Sequence, residues 1–355
     1  MRIRPRCVAT AIGSMPHLDP EPALDLVFRA TPNAPLWPQL SRRELREQME
    51  IQYSEGLPRA VLDAERERLY FDTSGNYYDE LAEFYAGYMA AEEHGDCSMA
   101  AISPEYAIGI PALENRLKLR GSRLPLVKCQ TTGPISFALT IVDENKRSIY
   151  YNDEFVDVVV KGLAMKCRWQ IQKFRPYAED VICFIDEPIL SAFGSSTYVS
   201  VQRDDVIRRL GEVIEAIHAE DAMAGVHCCG NTEWSMLVDA GADIISFDAY
   251  EHGETLALYP EHMRRHLVER NNALAWGIVP TSEAVRHESV ESLAERFERL
   301  VLHMSERTGI EARVVHEGAF ITPSCGAGSL DVNDAERVFE FLGATSEKLR
   351  AEHGF

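Results

Sequence analysis

The sequence predicts an α/β protein, a single (β/α)8 TIM barrel filling residues 1–355 with a long insertion after its first strand. Three observations carry this. Eight short apolar runs recur along the chain, longer amphipathic stretches separate the later ones, and the runs stop at polar or glycine-rich residues, as strands opening on a barrel mouth do. With 355 residues, 46% of them hydrophobic, the chain can bury one large core.

The runs are CVATAI from Cys7, CSMAAIS from Cys97, LPLVKCQ from Leu124, DVICFID from Asp180, MAGVHC from Met223, ADIISFD from Ala242, ALAWGIV from Ala273 and GAFITPSC from Gly318. Helical spacing of apolar and charged residues places helices over Asp153 to Phe174, Arg203 to Glu220, Thr232 to Ala240 and Glu291 to Thr308. The first crossover is the exception, since roughly ninety residues there exceed any ordinary connection. It holds PLWPQL at 35–40, a helical pattern from Ser41 to Tyr53, the turn GLPR at 56–59 and an aromatic-rich helix through Tyr77, Tyr78, Phe84, Tyr85 and Tyr88. An insertion at a first βα loop overhangs the catalytic face, so residues 31–95 are expected to act as a lid.

A formal net charge of -20 argues against nucleic acid or an anionic membrane face as partner. No stretch approaches 18 apolar residues, and the apolar run near the start is too brief for a secretory core, so the expected place is the cytoplasm. Eight irregularly spaced cysteines do not form a disulfide framework. Cys7, Cys129 and Cys183 sit in or beside apolar runs and read as small buried hydrophobes.

Reactive side chains in a (β/α)8 enzyme come from the carboxyl ends of several strands. Here those ends are Ile12-Gly13-Ser14, Lys128-Cys129-Gln130 followed by Thr131-Thr132-Gly133-Pro134, Asp186-Glu187-Pro188, His227-Cys228-Cys229-Gly230-Asn231, Asp248, Gly277 and Pro323-Ser324-Cys325-Gly326. His227 and Cys229 are two apart, so an extended backbone aims both to one side and Cys228 away. Cys325 ends the last strand and converges on the same mouth. Imidazole nitrogen with thiolate sulfur is a donor set that zinc prefers, and Asp248 is the candidate fourth, replaceable ligand, with Glu251 the alternative. Two thiolates, one imidazole and a weak carboxylate make an electron-rich site, suited to taking up an incoming thiol as a thiolate nucleophile rather than to activating water.

These residues resemble the C-terminal catalytic barrel of cobalamin-independent methionine synthase, in the superfamily shared with uroporphyrinogen decarboxylase and the methylcorrinoid:coenzyme M methyltransferases. AIGSMP at 11–16 is similar to that family's IGSFP, KCQTTGPIS at 128–136 to its KGxxTGPVT, and IDEP at 185–188 to its IDEPA. HCC at 227–229 resembles its HMC, ADIISFD its ADVITIE, and TPSCG at 322–326 its NPDCG. HCCGNT also resembles the HxCGN of the corrinoid-dependent thiol methyltransferases. The resemblance implies zinc on His227, Cys229, Cys325 and Asp248, the last standing where the family has glutamate. It implies homocysteine held by Ile12, Gly13 and Ser14 and by Asp186, with Glu105 as a second acidic contact to the amino group.

Two departures bear on the methyl donor. The family's complete enzyme carries a second barrel that helps hold folate, and its seventh strand ends in a histidine thought to protonate the departing folate nitrogen. Here that strand ends in Trp276-Gly277-Ile278-Val279-Pro280-Thr281, with His17 and His287 as unaligned substitutes. A corrinoid donor needs no such acid, which tilts the expectation from methyltetrahydrofolate toward methylcobalamin carried by a separate protein.

The reading is therefore a zinc-dependent homocysteine S-methyltransferase. The alternatives are methyl transfer to another thiol such as coenzyme M, which has no amine for Asp186, a metal-free tetrapyrrole decarboxylase, and a non-enzymatic zinc or corrinoid module. A decarboxylase would need arginines at the carboxyl end of the first strand, whereas Arg2, Arg4 and Arg6 precede it.

Overall fold

In the computed structural model, which describes residues 4–355, seven parallel strands form one curled sheet. In chain order the strands are β1 (Val8–Ala9), β2 (Ala60–Asp63), β3 (Arg68–Phe71), β4 (Leu124–Thr132), β5 (Val142–Asp143), β6 (Ala178–Asp186), β7 (Met223–Cys228), β8 (Ile244–Phe247), β9 (Ala273–Val279) and β10 (Ala319–Pro323). The main sheet runs β1-β10-β9-β8-β7-β6-β4, while β2, β3 and β5 make a small separate sheet. Arg2 lies outside the described residues.

The run at 97–103 is not a strand, which corrects the sequence assignment: Ser98–Ala100 is a single 3-10 turn. Its Ser, Met and Ala side chains favour a strand weakly, and Cys97, Ala100 and Ile102 are buried. The gap between β1 and β4 is instead spanned by residues 33–39. Met15 N donates to Gln39 O and Gln39 N to Gly13 O on one side, while Leu126 N donates to Asn33 O and Lys128 N to Pro35 O on the other. Only isolated parallel bridges result, Ser14 with Gln39 and Leu36 with Lys128. Pro35 and Pro38 have no N–H to give to a ladder, so the sheet has seven strands rather than the eight expected. Trp37 fixes the segment from outside by donating Nε1 to Gln170 Oε1 at 2.9 Å, and Gln170 Nε2 donates to the Gln130 carbonyl.

Inside the curl lies one apolar cluster, with Ala34 from this segment beside Leu126, Ile182, Phe184, Met223, Ile244, Ala273, Ala275 and Phe320. The helices pack outside and bury a second, larger core. The long helix appears as Asp153–Phe174, and Arg203–Ala219 and Val290–Thr308 lie within a residue of expectation. Within the first crossover the α-helices are Pro20–Ala30, Met49–Tyr53 and Tyr78–His94, with the β2–β3 hairpin between the last two. The aromatic residues there serve packing: Tyr77 stacks edge-on against Phe155, and Tyr85 OH donates to Asp157 of the long helix at 2.7 Å. Among the described residues, no helix is long and apolar enough to cross a membrane.

Candidate metal centre

Four neighbouring strands place side chains in register at one end of the sheet. Thr132 of β4 is level with Asp186 of β6, Asp186 with His227 of β7, and His227 with Ser246 of β8. Backbone bonds extend the ladder past the strand ends, with Gly133 N donating to Asp186 O and Glu187 N to His227 O. Cys325 lies two residues beyond β10, after a slip in register between Thr322 and Pro323, and such irregularities re-aim side chains.

The ligand atoms of His227, Cys229 and Cys325 lie within 4.8 Å of one another. His227 is buried, and Ser246 Oγ sits 3.0 Å from its Nδ1. Its Nε2 is buried without a hydrogen-bond partner. A hydroxyl accepting from Nδ1–H would leave the Nε2 lone pair free, as outer partners of metal-bound histidines do. Cys229 is pulled down to about 4 by the hydrogen bond from the Cys325 thiol and by His227. Cys325, the donor of that bond and largely buried, is pushed up by it and by burial. Cys228 is turned away and buried, with Sγ donating to Gly230 O at 3.5 Å.

An orphaned buried imidazole nitrogen beside two cysteine sulfurs fits a soft tetrahedral cation, zinc first among them. Asp248 stands at the end of β8, where Oδ1 caps the short helix Ala249–His252 by accepting from Glu251 N at 2.9 Å. Neither Asp248 nor Glu251 belongs to the three-residue group.

Asp186 Oδ1 is buried and unpartnered. Burial raises its carboxyl, against the pull of His227 and Lys128. Glu187 does different work: both its oxygens accept backbone N–H bonds, from Ile135 at 2.9 Å and Ser136 at 2.7 Å, at the start of helix Pro134–Thr140. A Cβ on Gly133 would stand 2.1 Å from Glu187 Cδ, so the glycine of TTGP is what admits this carboxylate. The IGS segment is tied to the last loop, since Ala327 N donates to Ser14 O and Gly328 N to Ser14 Oγ. A Cβ on Gly326 would meet Ser14 Oγ at 2.0 Å. The Ile12 carbonyl accepts from Lys128 Nζ at 2.5 Å, and Gly13 has φ 153° with its Cα against Gln130. Glu105 is exposed in the turn before helix Gly109–Arg120 and is not one of the three grouped residues. His17 is buried with Nδ1 unpartnered, and His287 ends the 3-10 helix Glu283–His287.

Two residues at this site carried no sequence-level role. Ser246 orients His227, and the signal for it was a serine amid the otherwise apolar ADIISF, facing inward one strand from His227. Lys128 is fully buried, with Nζ 4.6 Å from the Phe184 ring centroid and 3.2 Å from Gln130 Oε1. Desolvation lowers it to about 8. Unpartnered buried polar atoms also cluster at these strand ends, on Thr131, Thr132 and Thr322 as well as Asp186 and His227.

No known family model matches this chain, and no curated protein does. Among solved structures, a methyltransferase from Methanosarcina mazei superposes with 16% identity and a TM-score of 0.44, covering 67% of this chain and 63% of that one. A GH5_18 protein from Streptomyces cattleya in complex with GlcNAc superposes with 12% identity and a TM-score of 0.42, covering 77% and 75%. The chain thus spans less than two thirds of the methyltransferase, and likenesses this distant assign no activity to it.

Proposed function

We propose that this chain is a zinc-dependent S-methyltransferase that moves a methyl group onto the thiol of homocysteine. The methyl comes from a methylcorrinoid on a separate protein or from methyltetrahydrofolate. The observation that carries the reading is the convergence of the ligand atoms of His227, Cys229 and Cys325 within 4.8 Å, with the imidazole Nε2 buried and unpartnered. Zinc held by two thiolates and an imidazole makes a further thiol acidic while leaving its sulfur nucleophilic.

The chain's own groups supply the rest. Ser246 orients the His227 ring through its Nδ1. Asp186, buried with a free oxygen one register from His227, offers a counter-charge to an ammonium group next to the metal site. This favours an amino-bearing thiol over one without an amine, and hence homocysteine over coenzyme M. Thr132 and Thr322 bring further unpartnered hydroxyls to the same strand ends for the carboxylate of that substrate. Asp248 or Glu251 would supply the fourth, replaceable ligand of such a zinc.

Zinc-edge X-ray absorption, recorded with and without homocysteine, tests the reading. The expected result is a shell of two sulfurs with nitrogen and oxygen that gains a third sulfur on addition. Zinc that is bound but unchanged would make homocysteine the wrong acceptor, and protein that binds no zinc would end the proposal.

A further inference from the structure

At the opposite end of the sheet, a second group of metal-ligating side chains converges. Glu298 from helix Val290–Thr308, His316 from helix Ala312–Glu317 and His353 from the end of helix Val332–His353 place their ligand atoms within 4.8 Å of one another. His316 precedes β10 and Cys325 follows it, so the five residues of that strand, about 16 Å, separate the two groups. Cys7, at the amino end of β1, donates Sγ to the His316 carbonyl at 3.8 Å, and Ser346 Oγ donates to the Cys7 carbonyl. The cluster therefore sits where the C-terminal helix crosses the amino ends of β1 and β10, remote from the thiolates.

We propose that Glu298, His316 and His353 bind a second divalent first-row cation of the zinc class, which fastens the C-terminal helix to the barrel floor. Both imidazoles present the same atom to one carboxylate: His316 Nε2 lies 3.0 Å from Glu298 Oε2, and His353 Nε2 lies 2.8 Å from Oε1. Bonds of about 2.0 to 2.1 Å to a tetrahedral ion imply ligand–ligand edges near 3.4 Å, so an opening of about half an ångström converts this triangle into three ligands. The imidazole rings lie with centroids 3.9 Å apart.

A floor and an entrance are both present. Phe297 packs edge-on against the His316 ring, which is 8% exposed, so that ligand is fixed from behind. In front, a cavity of about 600 Å³ lined by Arg313, Glu317, His316 and His353 opens to solvent and leaves room for a water as fourth ligand. Two histidines and one glutamate with one open position form a zinc or iron donor set, distinct in kind from the sulfur-rich group above.

The test is metal stoichiometry after dialysis of the full chain against Zn2+, with the thiolate and the histidine groups altered separately. Wild type should hold two equivalents, Glu298→Gln/His353→Gln one, and Cys229→Ser/Cys325→Ser one. In the cysteine-altered protein, Zn2+ should still raise Tm with the logarithm of its concentration, and Glu298→Gln in that background should abolish the rise. Equal zinc content in wild type and in Glu298→Gln/His353→Gln overturns the second site. Loss of zinc on altering the cysteines instead tests the catalytic proposal, so the two fail separately. If the cysteine-altered chain does not fold, Glu298→Gln in the wild-type background reads the second site alone, through the loss or retention of one equivalent.

Discussion

Gly133→Ala should be among the most damaging single-methyl additions in this chain. The new Cβ would stand 2.1 Å from Glu187 Cδ and 2.3 Å from its Oε1, distances no pair of atoms tolerates. Glu187 is fully buried and cannot retreat to water, so its carboxylate must give up the bonds from Ile135 N and Ser136 N. At about pH 8, where Glu187 is ionised, hydrogen bonds to a charged acceptor contribute about 1.5 to 3 kcal/mol each, so losing two costs roughly 3 to 6 kcal/mol. That lies in the exceptional tail of single substitutions. Urea unfolding followed by circular dichroism measures it. Gly211→Ala is the matched control: it lies inside helix Arg203–Ala219, where the nearest atom to a new Cβ is Ala240 O at 3.6 Å. Alanine there should stabilise by up to about 1 kcal/mol. Because the two groups collide directly, Glu187→Ala should cost far less in the Gly133→Ala protein than in wild type. A loss below about 1 kcal/mol for Gly133→Ala, or additivity of the two changes, would refute the collision.

Cys325→Ser should lose most zinc and nearly all methyl transfer, since thiolates dominate the affinity of such a site; full occupancy by elemental analysis would sink the ligand assignment. Asp248→Ala should weaken zinc less than Cys229→Ala does, and equal losses in a chelator competition would make the carboxylate a fixed ligand. Ser246→Ala should leave the fold intact and weaken zinc about 10- to 100-fold, because His227 loses the partner that orients its ring. An unchanged Kd would remove Ser246 from the site. Burial raises Glu187 from 4.5 to about 7, so the folded state holds a proton the unfolded chain releases. Its contribution is complete below pH 4.5 and fades as pH climbs through 7, a loss of about 3 kcal/mol. Unfolding of wild type and Glu187→Gln at about pH 5 and about pH 8 should diverge in that direction, and parallel pH profiles would show that Glu187 does not titrate in this range.

What could be read in the sequence was local or periodic. Side-chain alternation along an extended segment has a period of two residues, so spacing alone turns His227 and Cys229 one way and Cys228 the other. The helix over Asp153–Phe174 and the strands of the main sheet from β4 onward were equally legible, because each carries its own apolar run or period. The wall at 33–39 was not. Two prolines erase its strand pattern, and its place between β1 and β4 depends on bonds from partners about ninety residues away. The run at 97–103 failed for the converse reason, an apolar stretch whose burial against helices needs no strand. Glu187 as a cap and Ser246 as the orienting partner of His227 depend on register between strands that the chain order does not encode. The pairing of Glu298 with His316 and His353 is of the same kind, made by three helices that meet only after the sheet has curled. The sequence specified which residue types were available for ligation and which side of a strand they faced. Only the tertiary structure decided which of them share a site, because that is set by distances across the curled sheet rather than along the chain.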